Sequence, residues 1–193
     1  MAAWCIDVDE LRPADVLVTT GRSYISGAIR TATGSDYSHT VLYLGDNRVM
    51  EAISEGVVER DLDVPLSEAS LAVALRRRHM TDVTRKSVVA YARRFKGRPY
   101  DYVGAAGAGL THKRGQLACV VGAPTGCLTL YAAAKINANE KNRDKRFFCS
   151  ELAARCYELA GVPITDGSPS FTTPRAVRVS RYLLYVGHLV GGE

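Results

Sequence analysis

Phe147-Phe148-Cys149-Ser150-Glu151-Leu152 decides how this chain is read. The spacing of Leu152, Ala153, Cys156, Leu159 and Ala160 predicts a helix from about Cys149 to Ala160, terminated by Gly161 and Pro163. Cys149 therefore opens a helix, where unpaired N–H groups and the helix dipole favour an anion. A thiol attacks as its thiolate, and a helix N-terminus or a neighbouring imidazolium lowers its pKa. Far upstream lies Ser38-His39-Thr40-Val41-Leu42-Tyr43-Leu44, and beyond a turn at Gly45-Asp46-Asn47 the segment Arg48 to Ile53 carries Glu51. A thiol, an imidazole and a carboxylate form the parts of a nucleophile, a general base and the group that orients that base.

The hairpin register tests this assignment. A plain two-residue or four-residue loop would put His39 and Glu51 on opposite faces of the sheet, because strand side chains alternate. An odd loop or a bulge puts them on one face, and Gly45-Asp46-Asn47 suits a three-residue turn. Glu55 shares the parity of Glu51 and is the alternative acid, although it abuts Gly56. His79, His112 and His188 sit in less rigid settings than His39, and Cys156 is read as a structural core thiol.

Around these residues the pattern is α+β. Pro13 to Thr19, His39 to Leu44, Arg48 to Ile53, Val57 to Arg60 and Ala72 to Arg76 read as strands. Ser23 to Thr33 and Thr81 to Lys96 read as helices, the second with Val83, Val88, Ala92 and Phe95 on its apolar face. Tyr182 to Val186 reads as a last strand or a helix end. The 193 residues suit one domain.

The net charge of +5 is mildly basic. Arg76-Arg77-Arg78 and Lys141 to Arg146 lack the interleaved aromatics of a nucleic-acid binder, so no nucleic-acid partner is expected. Five cysteines with no CxxC pair argue against both a disulfide framework and a zinc site; no metal and no cofactor is expected. Met1 to Glu10 has neither a basic nor an apolar leader region, which predicts no cleaved signal peptide and a cytoplasmic location in the producing cell. Leu117 to Ile136 has the length of a membrane span, but Gly122, Pro124 and Gly126 interrupt it and no stable span is expected. A helix over Leu128 to Ile136, preceded by a glycine loop near the cleft mouth, is the better reading.

Three blocks together resemble the circularly permuted NlpC-type papain-like cysteine amidases and peptidases, the YiiX-like group in particular. The first runs from Ala14-Asp15-Val16-Leu17 through Tyr37-Ser38-His39 to Val49-Met50-Glu51-Ala52. The second is Gly97-Arg98-Pro99-Tyr100-Asp101, and the third is Phe148-Cys149-Ser150-Glu151-Leu152 with a late Thr173-Pro174. The order His, Glu, Cys is permuted relative to papain. The resemblance implies a permuted papain-like fold, an antiparallel sheet packed against helices, with Cys149 as nucleophile, His39 as base and Glu51 as third residue. It also implies Tyr100 as a phenol near the thiolate. The departure is an apolar insertion at about 104–136.

Such relatives commonly cut cell-wall peptides, so a peptide or amide substrate is implied. Lipid esters, as for relatives of the lecithin:retinol acyltransferase type, are the alternative. A leaderless cell-wall hydrolase acting in a target periplasm would need a secretion system, and an immunity protein as partner.

Overall fold

The computed structural model describes residues 4–21, 35–110 and 144–189. Its centre is a seven-stranded sheet. The strands are β1 (Cys5–Ile6), β2 (Val16–Gly21), β3 (His39–Gly45), β4 (Arg48–Ile53), β5 (Gly56–Asp61), β6 (Ala69–Arg77) and β7 (Leu183–Leu189), in the spatial order β1-β7-β6-β2-β3-β4-β5. All neighbours are antiparallel except β1 and β7. The expected antiparallel sheet packed against helices is thus present, with one parallel edge where the two-residue β1 runs alongside the last strand.

Helices cover both faces. α1 (Asp63–Ser67), α2 (Asp82–Arg94), α3 (Tyr102–Leu110), α4 (Cys149–Leu159) and α5 (Pro174–Arg178) are the α-helices among the described residues. Alternation along the strands divides the core in two. Val16, Val18, Leu42, Met50, Val73 and Leu75 pack with Val88 and Ala92 of α2 and with Leu152, Ala153 and Cys156 of α4. On the other face Leu17, Val41, Tyr43, Val49 and Ala74 pack with Leu62 and Leu66.

Local chemistry sets the helix ends. Thr81 caps α2 by accepting the N–H of Thr84. Thr173 caps α5 in the same way with Pro174 as the first helical residue, which is what the late Thr-Pro pair encodes. Val83 is 75% exposed and does not join the apolar face predicted for α2; Val89 does. Five residues separate Val83 from Val88, about 140° around a helix. The glycines at 104–109 lie in α3 and not in the loop expected there. Asp101 starts that helix by accepting the N–H of Gly104 at 2.8 Å. The helices expected over 23–33 and 128–136, and the loop expected over 111–115, lie outside the described residues.

Asp15 ties the start of β2 to β6. It is fully buried and takes a two-pronged ion pair from Arg76, Nε to Oδ1 at 2.8 Å and Nη2 to Oδ2 at 2.6 Å. It also accepts the Arg12 N–H. Arg77 donates to the carbonyls of Pro163 and Arg78, so two of the three arginines in that basic run have structural partners.

Removing one member of a buried pair strands the other, at a cost of about 3–5 kcal/mol. Asp15→Ala should therefore lower unfolding stability by about 3 kcal/mol in urea titrations. An apolar double replacement, Asp15→Leu with Arg76→Met, should recover much of that loss. A midpoint unchanged in Asp15→Ala would show that the pair is dispensable.

Candidate active site

The site begins with the β3–β4 hairpin. Asp46 and Asn47 both have positive φ, 51° and 55°, and form a two-residue turn closed by Gly45 opposite Arg48. The predicted three-residue turn is therefore absent, and the odd offset comes from a bulge. Tyr43 pairs with Val49 and Leu42 with Met50, which leaves Leu44 as the extra residue. Extending that register sets Glu51 opposite Val41, two residues from His39 and on the same face. Without the bulge Glu51 would oppose Leu42 and point into the helix-covered core.

The ladder between β3 and β4 ends at Leu42 and Met50, so the start of β3 pairs only with β2. Tyr43 donates its N–H to Asp15 of the loop leading into β2. By alternation the N–H of Thr40 turns the other way, toward the open side. The sulfur of Cys149 accepts hydrogen bonds there from the backbone N–H of Thr40 and from that of Ser150. Cys149 is the first residue of α4 and is buried. The helix start is held by Ser150, whose hydroxyl donates to the Thr172 carbonyl at 2.7 Å, and by Glu151, whose carboxylate reaches back to the Phe148 N–H.

His39 Nε2 lies 2.6 Å from Glu51 Oε2. That leaves Nδ1 for the hydrogen bond between the ring and the Cys149 sulfur. Glu51 is 1% exposed, and its other oxygen, Oε1, is taken by Arg60 of β5. Burial alone would lower the His39 pKa; the charge and hydrogen bond of Cys149, then those of Glu51, outweigh it and raise it to about 10. Burial alone would raise the Cys149 thiol; His39 and the two backbone N–H groups hold it below the ordinary value. Burial would likewise raise Glu51, and His39 and Arg60 together bring it below the carboxylate norm. The arrangement favours a thiolate–imidazolium pair backed by a carboxylate.

Tyr100 stands beside the sulfur because its strand segment is pinned to the residues before Cys149. Tyr100 bridges to Phe147, Phe147 donates its N–H to the Pro99 carbonyl, and Asp101 donates to the Phe147 carbonyl. Burial and then the negative charge of Cys149 push its phenol above its ordinary pKa, so it stays protonated. Gly104 has a steric reason to lack a side chain. A Cβ there would fall 2.5 Å from Asp101 Oδ2 and 3.2 Å from the Phe148 ring.

The structure thus brings together Cys149, His39, Glu51 and Tyr100, and keeps Glu55 away. Glu55 is exposed in the β4–β5 turn, hydrogen-bonded by its neighbour Ser54. Cys156 lies in the core, and burial raises its thiol pKa. Arg60 and the Thr40 N–H were not singled out from sequence. Arg60 lies on the Glu51 face because it pairs with Val49, two residues from Glu51. That parity was readable once β5 was in place; the Thr40 contact depends on tertiary structure.

No family model matches the chain. It is 26% identical over 203 residues to the probable lipoprotein peptidase YaeF of Escherichia coli K12, an alignment covering 97% of this chain and 74% of that protein. Its fold matches the crystal structure of the metalloprotein YiiX from Escherichia coli O157:H7 with a TM-score of 0.65 at 20% identity, covering 91% of this chain and 96% of that one. Among the described residues no group of three His, Cys, Asp or Glu is arranged to hold a metal ion. The donor set at the site does not suit one either, since both Glu51 oxygens are engaged by His39 and Arg60.

Thiolate character sets alkylation rate. Iodoacetamide at neutral pH should label Cys149 at least ten-fold faster than Cys156, read by peptide mass spectrometry. Comparable rates in the folded protein would contradict the thiolate assignment.

Proposed function

We propose that this YiiX-like chain is a papain-like cysteine peptidase or amidase that works through a thioacyl-enzyme. The observation that carries the reading is the continuous hydrogen-bonded line from Cys149 through His39 to Glu51, with the thiol at a helix start. The YaeF relative, described as a lipoprotein peptidase, supports peptide bonds as the target.

The chemistry follows from the atoms in place. The Cys149 thiolate attacks the carbonyl carbon; the C–S bond forms and the π electron pair moves to oxygen. The N–H groups at the start of α4 lie outside the helix ladder and can stabilise that oxyanion. Collapse breaks the C–N bond, and the leaving amine takes the proton from His39 Nδ1. Water then attacks the thioester, giving its proton to His39. The C–S bond breaks, and Cys149 is restored as thiolate with the carboxylic product released. Glu51 keeps Nε2 protonated throughout, which fixes the ring orientation for both proton transfers. The Tyr100 phenol, held protonated, lies within the electrostatic reach of the reacting sulfur.

Cell-wall peptides are the proposed substrate, on the strength of the NlpC-type resemblance in the three sequence blocks. The deciding experiment is mass spectrometry of peptidoglycan fragments incubated with the protein, with a short-chain lipid ester as the parallel substrate. Peptide-bond cleavage is expected from the wild type. Cys149→Ala should lose on the order of 10⁴-fold or more, and Glu51→Gln about 10²–10⁴-fold. Hydrolysis of the ester alone would move the substrate class to lipids, and activity retained in Cys149→Ala would overturn the mechanism.

The pKa directions also set a pH profile. Activity should rise as Cys149 loses its proton, below the usual thiol range, and fall above about pH 10 as His39 loses the proton needed by the leaving amine. A profile that keeps rising past pH 10 would exclude His39 as the acid.

A further inference from the structure

Glu51 is gripped from both sides. On one side His39 takes Oε2; on the other, Arg60 places Nε 2.6 Å and Nη2 2.5 Å from Oε1. Arg60 is in turn held from outside by Glu68, whose oxygens lie 3.3 and 3.4 Å from its terminal nitrogens. Nothing in the triad reading requires this arginine. A carboxylate bonded only to His39 Nε2 could rotate about its last torsion, which is broad for Glu. It could also take up the proton it should hold at arm's length, since its site is 1% exposed and burial favours the neutral acid.

We infer that Arg60 is a positioning residue for the reaction. Its guanidinium fork locks the rotamer and the charge of Glu51, and through Glu51 it decides which ring nitrogen of His39 faces Cys149. The inference rests on the reading of Cys149, His39 and Glu51 as a hydrolytic triad. The charged and titratable groups around Glu51 are His39 from β3, Arg60 from β5, Glu68 after α1, Glu55 in the β4–β5 turn and, beyond the imidazole, Cys149. Of these, Arg60 alone places a second cation on Glu51. Lys cannot reproduce the grip, because an ammonium is a point charge without the planar fork.

The test uses the full chain without substrate. Long-range ¹H–¹⁵N NMR of the His39 ring reports its tautomer and titration, and the pH dependence of iodoacetamide labelling reports the Cys149 thiolate. In Arg60→Met the His39 titration should move down by about one pH unit, and the onset of thiolate labelling should move up. With substrate, kcat should fall about ten- to a hundred-fold with KM little changed, and Arg60→Lys should lie between. In a Glu51→Gln background, Arg60→Met should add less than about two-fold, because the residue it acts through is already changed. An unaltered His39 titration in a folded Arg60→Met protein overturns the inference, as does a full additional loss in the Glu51→Gln background. Should Arg60→Met fail to fold, Arg60→Lys carries the same test: a smaller shift in the same direction supports the role, and none overturns it. Retained hydrolysis in Cys149→Ala would instead overturn the triad reading, and leaves the His39 titration as a separate result.

Discussion

One extra residue in β3 does the decisive work. Because strand side chains alternate with period two, the bulge at Leu44 carries every β4 residue across the sheet relative to β3. With it, Glu51 joins His39 on the face lined by Val41 and Val49; without it, the carboxylate would enter the core against α2 and α4. The ladder also stops early, at Leu42 and Met50. That end of the sheet is open, and there the N–H of Thr40 meets the sulfur of Cys149. Backbone geometry thus supplies two things at once: shared facing for acid and base, and a gap that admits the nucleophile from the opposite layer.

The charges at this gap make sense only as a series. Contact by contact run a sulfur, an imidazole, a carboxylate, a guanidinium and a carboxylate: Cys149, His39, Glu51, Arg60 and Glu68. Each inner member would be driven toward neutrality by burial alone, and each is held charged by its neighbour of opposite sign. The series ends in water, with Glu68 60% exposed, so no charge is left buried and unpaired at its outer end.

Much of this was legible in the sequence. The helix start at Cys149 and the strand at His39 follow from local patterns that tertiary structure did not override. The pairing of His39 with Glu51 was legible as a condition on register. Its solution was not, since a bulge at Leu44 and a loop of three residues give the same parity. Tyr157 escaped notice because its burial has a non-local cause: its hydroxyl reaches the Ala14 carbonyl, and Ala14 itself has a positive φ of 69°. The helix over Tyr102–Leu110 was hidden by composition. Three glycines argue against a helix, yet Asp101 caps it and Gly104 lets it approach Asp101 and Phe148 closely.

Two carboxylates fix the elements around the nucleophile: Asp101 bonds the start of α3, and Asp144 takes Nε and Nη2 of Arg155 in α4 at 2.8 and 3.2 Å. Both anchors belong to the elements that carry the chemistry. Asp101 adjoins Tyr100 and bonds the Phe147 backbone, while Arg155 lies in the helix that Cys149 begins. The contact between sulfur and imidazole itself is made by the start of β3 and the start of α4. Loss of the Asp101 carboxylate would release the Gly104 N–H and the start of α3, whereas the strip that holds Tyr100 against Phe147 is made by the backbone of Pro99, Asp101 and Phe147.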